Sequence, residues 1–129
     1  MRVLGALAGG AHGGAETFYT RLMIALHQAK IETHAILKPF DKRLEQFHKQ
    51  KVPFTKAPFG GLFDFRTKSI FKQTIKEVDP QIVLTFMNRA THKCPHSKKD
   101  NFVHLARLGG YYNLKYYKQA DYLIALTHD

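Results

Sequence analysis

Apolar residues along the chain gather into six short runs, and between them they recur every three or four positions. The runs are RVLGALA (2–8), IETHAIL (31–37), VPFTKAP (52–58), QIVLTF (81–86), NFVHLARL (101–108) and YLIALT (122–127). Runs of this length, bounded by glycine, proline or polar residues, predict buried strands. Between the first two, AETFYTRLMIALHQAK sets Phe18, Leu22, Leu26 and Ala29 at helical spacing, and Glu16 in its first turn suits the positive end of the helix dipole. The segment KPFDKRLEQFHKQK repeats the pattern with Phe40, Leu44 and Phe47. In DFRTKSIFKQTIKEVDP the apolar face is Ile70, Phe71, Thr74, Ile75 and Val78, with Asp64 a candidate N-cap and Pro80 forcing an end. MNRATHKCPHSKKD reads as a loop or short helix, and GGYYNLKYYKQAD as a turn followed by about two helical turns. Strand and helix alternate to the last run. That rhythm predicts an α/β fold: a parallel sheet of about six strands with helices on both faces, joined by right-handed crossovers.

A length of 129 residues fits one domain with its own core, and 44% hydrophobic residues place it among globular chains. Charge adds more. Twenty Lys and Arg against ten Asp and Glu give a formal +10, which selects an anionic partner: nucleic acid, an acidic membrane surface or a phosphorylated substrate. The apolar run at the N-terminus is too short and too glycine-broken for a signal peptide, and no run approaches the roughly 18 residues of a membrane span, so a cytoplasmic protein is expected. A single cysteine, Cys94, excludes an internal disulfide.

Four glycines, Gly9, Gly10, Gly13 and Gly14, occupy six positions between the first strand and the first helix. A strand-to-helix turn of this kind binds phosphate through backbone N–H groups and the helix dipole, or else serves only as a tight turn. Ala11 takes the middle place of a dinucleotide fingerprint, no acidic residue ends the second strand, and no Gly-Lys-Ser/Thr marks a P-loop. His92, Cys94 and His96 are zinc ligands in type, but Pro95 interrupts them and no second cluster accompanies them; a solvated polar loop is expected, with no metal. Lys68, Lys72 and Lys76 fall one turn apart. With the basic segment from Lys38 to Lys56 they form either the wet faces of two helices or a surface for anionic lipid or polyphosphate head groups. Phe59, Leu62, Phe63 and Phe65 between them read as core ahead of a membrane wedge. Tyrosines in YYNLKYY, with Arg107 and Lys118, offer stacking for bases, yet no nucleic-acid recognition module is legible, so nucleic acid is an unlikely partner.

GGAE opening a helix after an apolar strand, a hydrophobic strand after DP, and the later stretches FMNRATHKCP and ARLGGYYNLKYYKQADYLIALTHD resemble the N-terminal domain of GT-B glycosyltransferases of family 4, the retaining group 1 enzymes, in a bacterial cell-envelope and lipopolysaccharide subgroup. The resemblance implies a Rossmann-like domain over 1–129 that binds the acceptor, with the active site in a cleft against a second, donor-binding domain. It implies that Gly13 and Gly14 approach the diphosphate of a nucleotide sugar, with Glu16 behind them. Asn88, Arg89, Arg107, Gly109, Gly110 and Tyr111 would also face the cleft. The second domain and its glutamate pair, eight positions apart, are not in this sequence. The expectation is therefore a fragmentary or truncated transferase domain that is inactive alone. The donor substrate is a nucleotide-diphosphate sugar, no cofactor is required, and the acceptor is lipopolysaccharide or lipid-linked, met at the inner face of the membrane. A separate chain supplying the second domain, and self-association through exposed apolar surface, are further expectations. The alternative is a non-catalytic module that binds anionic lipid or polyphosphate.

Overall fold

The computed structural model describes residues 1–8, 14–39, 41–60, 64–97, 101–107 and 120–124. Six strands alternate with four helices among them: β1 (Arg2–Leu7), α1 (Gly14–Gln28), β2 (Glu32–Leu37), α2 (Asp41–Lys49), β3 (Phe54–Lys56), α3 (Phe65–Val78), β4 (Ile82–Phe86), α4 (Met87–Lys93), β5 (Val103–Arg107) and β6 (Tyr122–Ile124). The strands form one sheet in the order β3-β2-β1-β4-β5-β6, with every neighbouring pair parallel. This is the Rossmann-like arrangement. The order reverses between β1 and β4; in sheets of this kind the crevice beyond the carboxyl ends of the strands at such a switch point is where ligands bind.

Alternation along each strand divides the core between the two faces. Leu7, Ala35, Leu37, Leu84 and Phe86 pack with Tyr19 and Met23 of α1 and Phe47 of α2. On the other face Leu4, Ala6, Ile36 and Val83 pack with Phe71 and Ile75 of α3 and Ala90 of α4. Helices therefore cover both sides of the sheet, as the alternation of runs predicts.

The buried stripe of α1 differs from the one the spacing suggests. Tyr19 and Met23 are fully buried, Leu22 and Leu26 are half-buried, and Phe18 and Ala29 face outward. The cause lies in β1. A Cβ on Gly5 would come 2.5 Å from the Met23 sulfur, so the missing side chain is what admits the Met23 thioether, while the Tyr19 ring packs beside it at ordinary contact distance. The Tyr19 hydroxyl then donates to the Gly5 carbonyl at 2.8 Å, inside the core. Burial pushes the Tyr19 pKa up, opposed by the nearby Arg43 cation, so the phenol stays protonated and can donate.

Helices α1 and α2 end alike, without glycine. Lys30 and Lys51 adopt left-handed backbone, with φ of 68° and 61°. Behind them the Lys30 and Ile31 amides donate to His27 and Leu26, and the Lys51 and Val52 amides donate to His48 and Phe47. These are paired closing bonds of the Schellman type. At the end of α3, Asp79 is left-handed too, its amide bonded to the Ile75 carbonyl at 2.8 Å.

Two substitutions test this packing in opposite directions. Gly5→Ala overfills the α1 contact and is expected to lower the unfolding free energy by about 1–3 kcal/mol. Lys51→Gly removes the Cβ penalty of left-handed backbone and is expected to raise it by about 1 kcal/mol. Urea titrations with unchanged slopes provide the measurement.

Candidate functional site

The crevice is built from what leaves the carboxyl ends of β1, β4 and β5. Gly14 is the first residue of α1, and Glu16 follows in the first turn, partly buried. Gly13 lies outside the described residues, as do Gly109, Gly110 and Tyr111. Asn88 and Arg89 occupy the first turn of α4, directly after β4; their side chains are outside the described set. Arg107 ends β5, in register with Phe86 of β4, and is only 6% exposed.

Arg107 is the informative side chain. Its guanidinium carbon lies 4.9 Å from the centroid of the Phe18 ring and 5.6 Å from that of Phe86, with the two rings 6.1 Å apart. Ring faces carry partial negative charge and hold a cation there. Phe18 stands one helical turn after Gly14, so the cation sits beside the opening turns of α1 at the switch point. The ion pair of Arg2 with Asp79 at 3.4 Å is not at this edge: Arg2 begins β1 and Asp79 follows α3. Buried guanidinium and helix N-terminus thus bring two sources of positive potential to one place, which suits an anion.

Residues unremarked in the sequence hold this edge together. Arg43 of α2, read as part of a wet basic face, is 4% exposed; its Nε–H donates to Thr20 Oγ1 at 3.0 Å, and Thr20 Oγ1 donates to the Glu16 carbonyl at 3.0 Å. Burial lowers the Arg43 pKa, and Tyr19 and Glu16 oppose that shift. The spacing held the signal, because Arg43 is four residues before Phe47 and shares its stripe. Beneath α4, Thr85 Oγ1 is hydrogen-bonded to Thr91 Oγ1 and to His104 Nε2, each at 2.8 Å, in a fully buried relay. The His104 amide donates to Asp121 Oδ2 at 2.8 Å and Ser97 Oγ donates to Asp121 Oδ1 at 3.0 Å, so Asp121, just before β6, ties β5 to the segment that follows α4.

The HKCPH stretch is not a solvated loop. Cys94 and Lys93 are 2% and 3% exposed, Cys94 belongs to the core, and His92 is half-buried. Burial, and then the Asp121 carboxylate, push the Cys94 thiol up, which suppresses the thiolate a nucleophile needs. Burial and the charges of Lys68 and Lys93 hold His92 below its usual value. Among the described residues no three His, Cys, Asp or Glu side chains come close enough to hold a metal ion.

Lys68, Lys72 and Lys76 project into solvent from α3, across the sheet from α1. They are not brought to the crevice. Phe59 is core, whereas Phe65 is 66% exposed at the start of α3. No helix of the described residues is long and apolar enough to cross a membrane.

Asp64 caps α3 as its sequence position suggests. Its carboxylate accepts from the Thr67 amide at 3.2 Å, from the Thr67 hydroxyl, and from the Gly60 amide at 2.6 Å, while Lys93 Nζ donates to its carbonyl at 2.8 Å. The Thr67 hydroxyl and then the Gly60 amide pull the Asp64 pKa down to about 2. A depressed carboxylate stabilises the fold above its unfolded pKa near 4, and the contribution is lost as pH falls through the folded value. The stability gap between the wild type and Asp64→Asn is therefore expected to be full above about pH 4 and to shrink towards about pH 2. Denaturant unfolding at stepped pH measures it.

No protein-family model matches the chain. Over 127 residues, 93% of this chain, it is 29% identical to the lipopolysaccharide core biosynthesis glycosyltransferase LpsD of Rhizobium meliloti. The chain spans 35% of that relative's length. Among solved structures, a glycosyltransferase from Rickettsia africae superposes with a TM-score of 0.77 at 16% identity, over 96% of this chain and 36% of that one. MurG of Acinetobacter baumannii superposes with a TM-score of 0.67 at 12% identity, over 97% of this chain and 41% of that one. At such identities the structures establish the fold. The sequence match links the chain to a glycosyltransferase.

Proposed function

We propose that this chain is the acceptor-binding, Rossmann-like domain of a retaining family 4 glycosyltransferase of GT-B architecture, acting in cell-envelope synthesis. The intact enzyme transfers a sugar from a nucleotide-diphosphate donor to a lipopolysaccharide or lipid-linked acceptor. The observation that carries the reading is the Arg107 guanidinium, buried between Phe18 and Phe86 beside the start of α1. The likeness to LpsD over nearly the whole chain supports it.

The chemistry follows from charge. Departure of a nucleoside diphosphate places growing negative charge on phosphate oxygens, and preorganised donors there lower the barrier. The α1 amides, beginning at Gly14, and the Arg107 guanidinium supply such donors on this side of the cleft. Gly13 is the preceding contact, and Asn88, Arg89, Gly109, Gly110 and Tyr111 are assigned to orient the acceptor. No residue of this domain is assigned as nucleophile or base, because positioning and phosphate stabilisation account for its part of the reaction. Donor recognition belongs to a second domain, in the same polypeptide or in a partner chain. The enzyme works in the cytoplasm at the inner membrane face, where a chain of net charge +10 meets anionic lipid.

Titration of the purified 129-residue protein with inorganic pyrophosphate and with uridine diphosphate tests the site. Binding is expected to weaken at least tenfold in Arg107→Gln, to be largely retained in Lys72→Glu, and to fall with added salt. Sugar transfer by the 129 residues alone is expected to be absent. Equal binding by the wild type and Arg107→Gln, with circular dichroism unchanged, would sink the assignment of Arg107.

A further inference from the structure

The opening turn of α1 carries two opposed charges. Its amides and dipole favour an anion, yet Glu16, the third residue of the helix, sets a carboxylate there. A carboxylate in the first turn stabilises the helix and repels a diphosphate brought to the same place. An anion binds well at this turn only if that carboxylate is offset.

The side of α1 that bears Glu16 faces α2. Glu16 and Thr20 are one turn apart on the same face, Glu16 partly buried and Thr20 buried. Arg43 of α2 meets them there: its Nε–H donates to Thr20 Oγ1 at 3.0 Å, and that hydroxyl donates to the Glu16 carbonyl at 3.0 Å. A guanidinium only 4% exposed is costly unless opposite charge stands near it. Tyr19 and Glu16 both act on Arg43. The buried Tyr19 phenol stays protonated, so of the two it is Glu16 that carries negative charge.

We propose that Arg43 is a positioning residue that offsets the Glu16 carboxylate from beneath α1, so that the opening turn can receive a diphosphate; the inference rests on the reading of that turn as an anion site. Its part differs from that of Arg107. Arg107 comes to the turn from β5, against Phe18, and is assigned to touch the ligand. Arg43 comes from α2 through Thr20 and acts through Glu16 alone.

Pyrophosphate titration of the 129-residue protein, paired with urea unfolding, tests the pair. Arg43→Gln leaves Glu16 uncompensated and is expected to weaken binding about tenfold. Glu16→Gln in that background should restore it, and Glu16→Gln alone should tighten binding beyond the wild type. Arg43→Lys keeps the charge, and Thr20→Val removes the hydrogen bond while keeping both charges; each should stay within about threefold of the wild type. Lys49→Gln, at the far end of α2, controls for net charge and should do the same. In urea, Arg43→Gln and Glu16→Gln should couple by about fivefold in the unfolding constant.

Loss of binding in Arg43→Gln that Glu16→Gln does not restore would overturn the proposal, and so would Thr20→Val as damaging as Arg43→Gln. Should Arg43→Gln fail to fold, Glu16→Gln alone decides, and unchanged or weaker binding overturns the pair. No pyrophosphate binding by the wild type would fault the anion site, and this role with it. Additive unfolding effects with binding intact would fault the pair alone.

Discussion

The arrangement depends on how α1 seats on β1, and Gly5 leaves the room in which its buried side chains settle. With no Cβ there, Met23 settles over the strand and the Tyr19 hydroxyl reaches the Gly5 carbonyl. Tyr19 then meets the Phe86 ring edge-on at 5.1 Å, which locks the helix to the end of β4. Phe18, next along the helix, is turned outward and leans over Arg107. The absent methyl group on the first strand thus makes room for Met23, beside the Tyr19 and Phe18 rings through which α1 reaches β4 and a cation on β5.

Much of the architecture was legible because it rests on short-range pattern. All six apolar runs contain strands, Asp64 caps α3, and the helix before Pro80 stops at Val78. What the pattern left unread depends on partners distant in sequence. Phe18 and Tyr19 are adjacent aromatics, and periodicity cannot choose between them when the deciding residue is a glycine on another element. Arg43 looked like surface because its charge outweighed its place on the stripe with Phe47. The HKCPH stretch looked polar by composition, yet Cys94 turns into the α3–α4 core while Lys93 reaches the Asp64 carbonyl. At the candidate site, the sequence marked Arg107 by its place at a strand end, but its aromatic clamp arises from three separate elements.

Polar groups inside the fold are arranged as ties between elements. Thr85, Thr91 and His104 join β4, α4 and β5 through two hydrogen bonds in a fully buried region, and Asp121 extends the link to β6. Buried polar groups are costly unless satisfied, so such a relay fixes one relative placement of the elements it joins. Here it governs where α4 departs from β4, and hence where Asn88 and Arg89 begin.

Holding a cation between two rings also has a thermodynamic side. An arginine side chain free in solution carries about 2 kcal/mol of rotamer entropy, which is surrendered whenever it is fixed. In Arg107 that surrender accompanies folding, because Phe18 and Phe86 already confine the guanidinium. Ring faces take none of its N–H donors, so the side chain is already oriented while those donors are not spent on the rings. A ligand proposed for this edge would therefore draw on disorder removed in advance, and would keep more of its interaction energy as affinity.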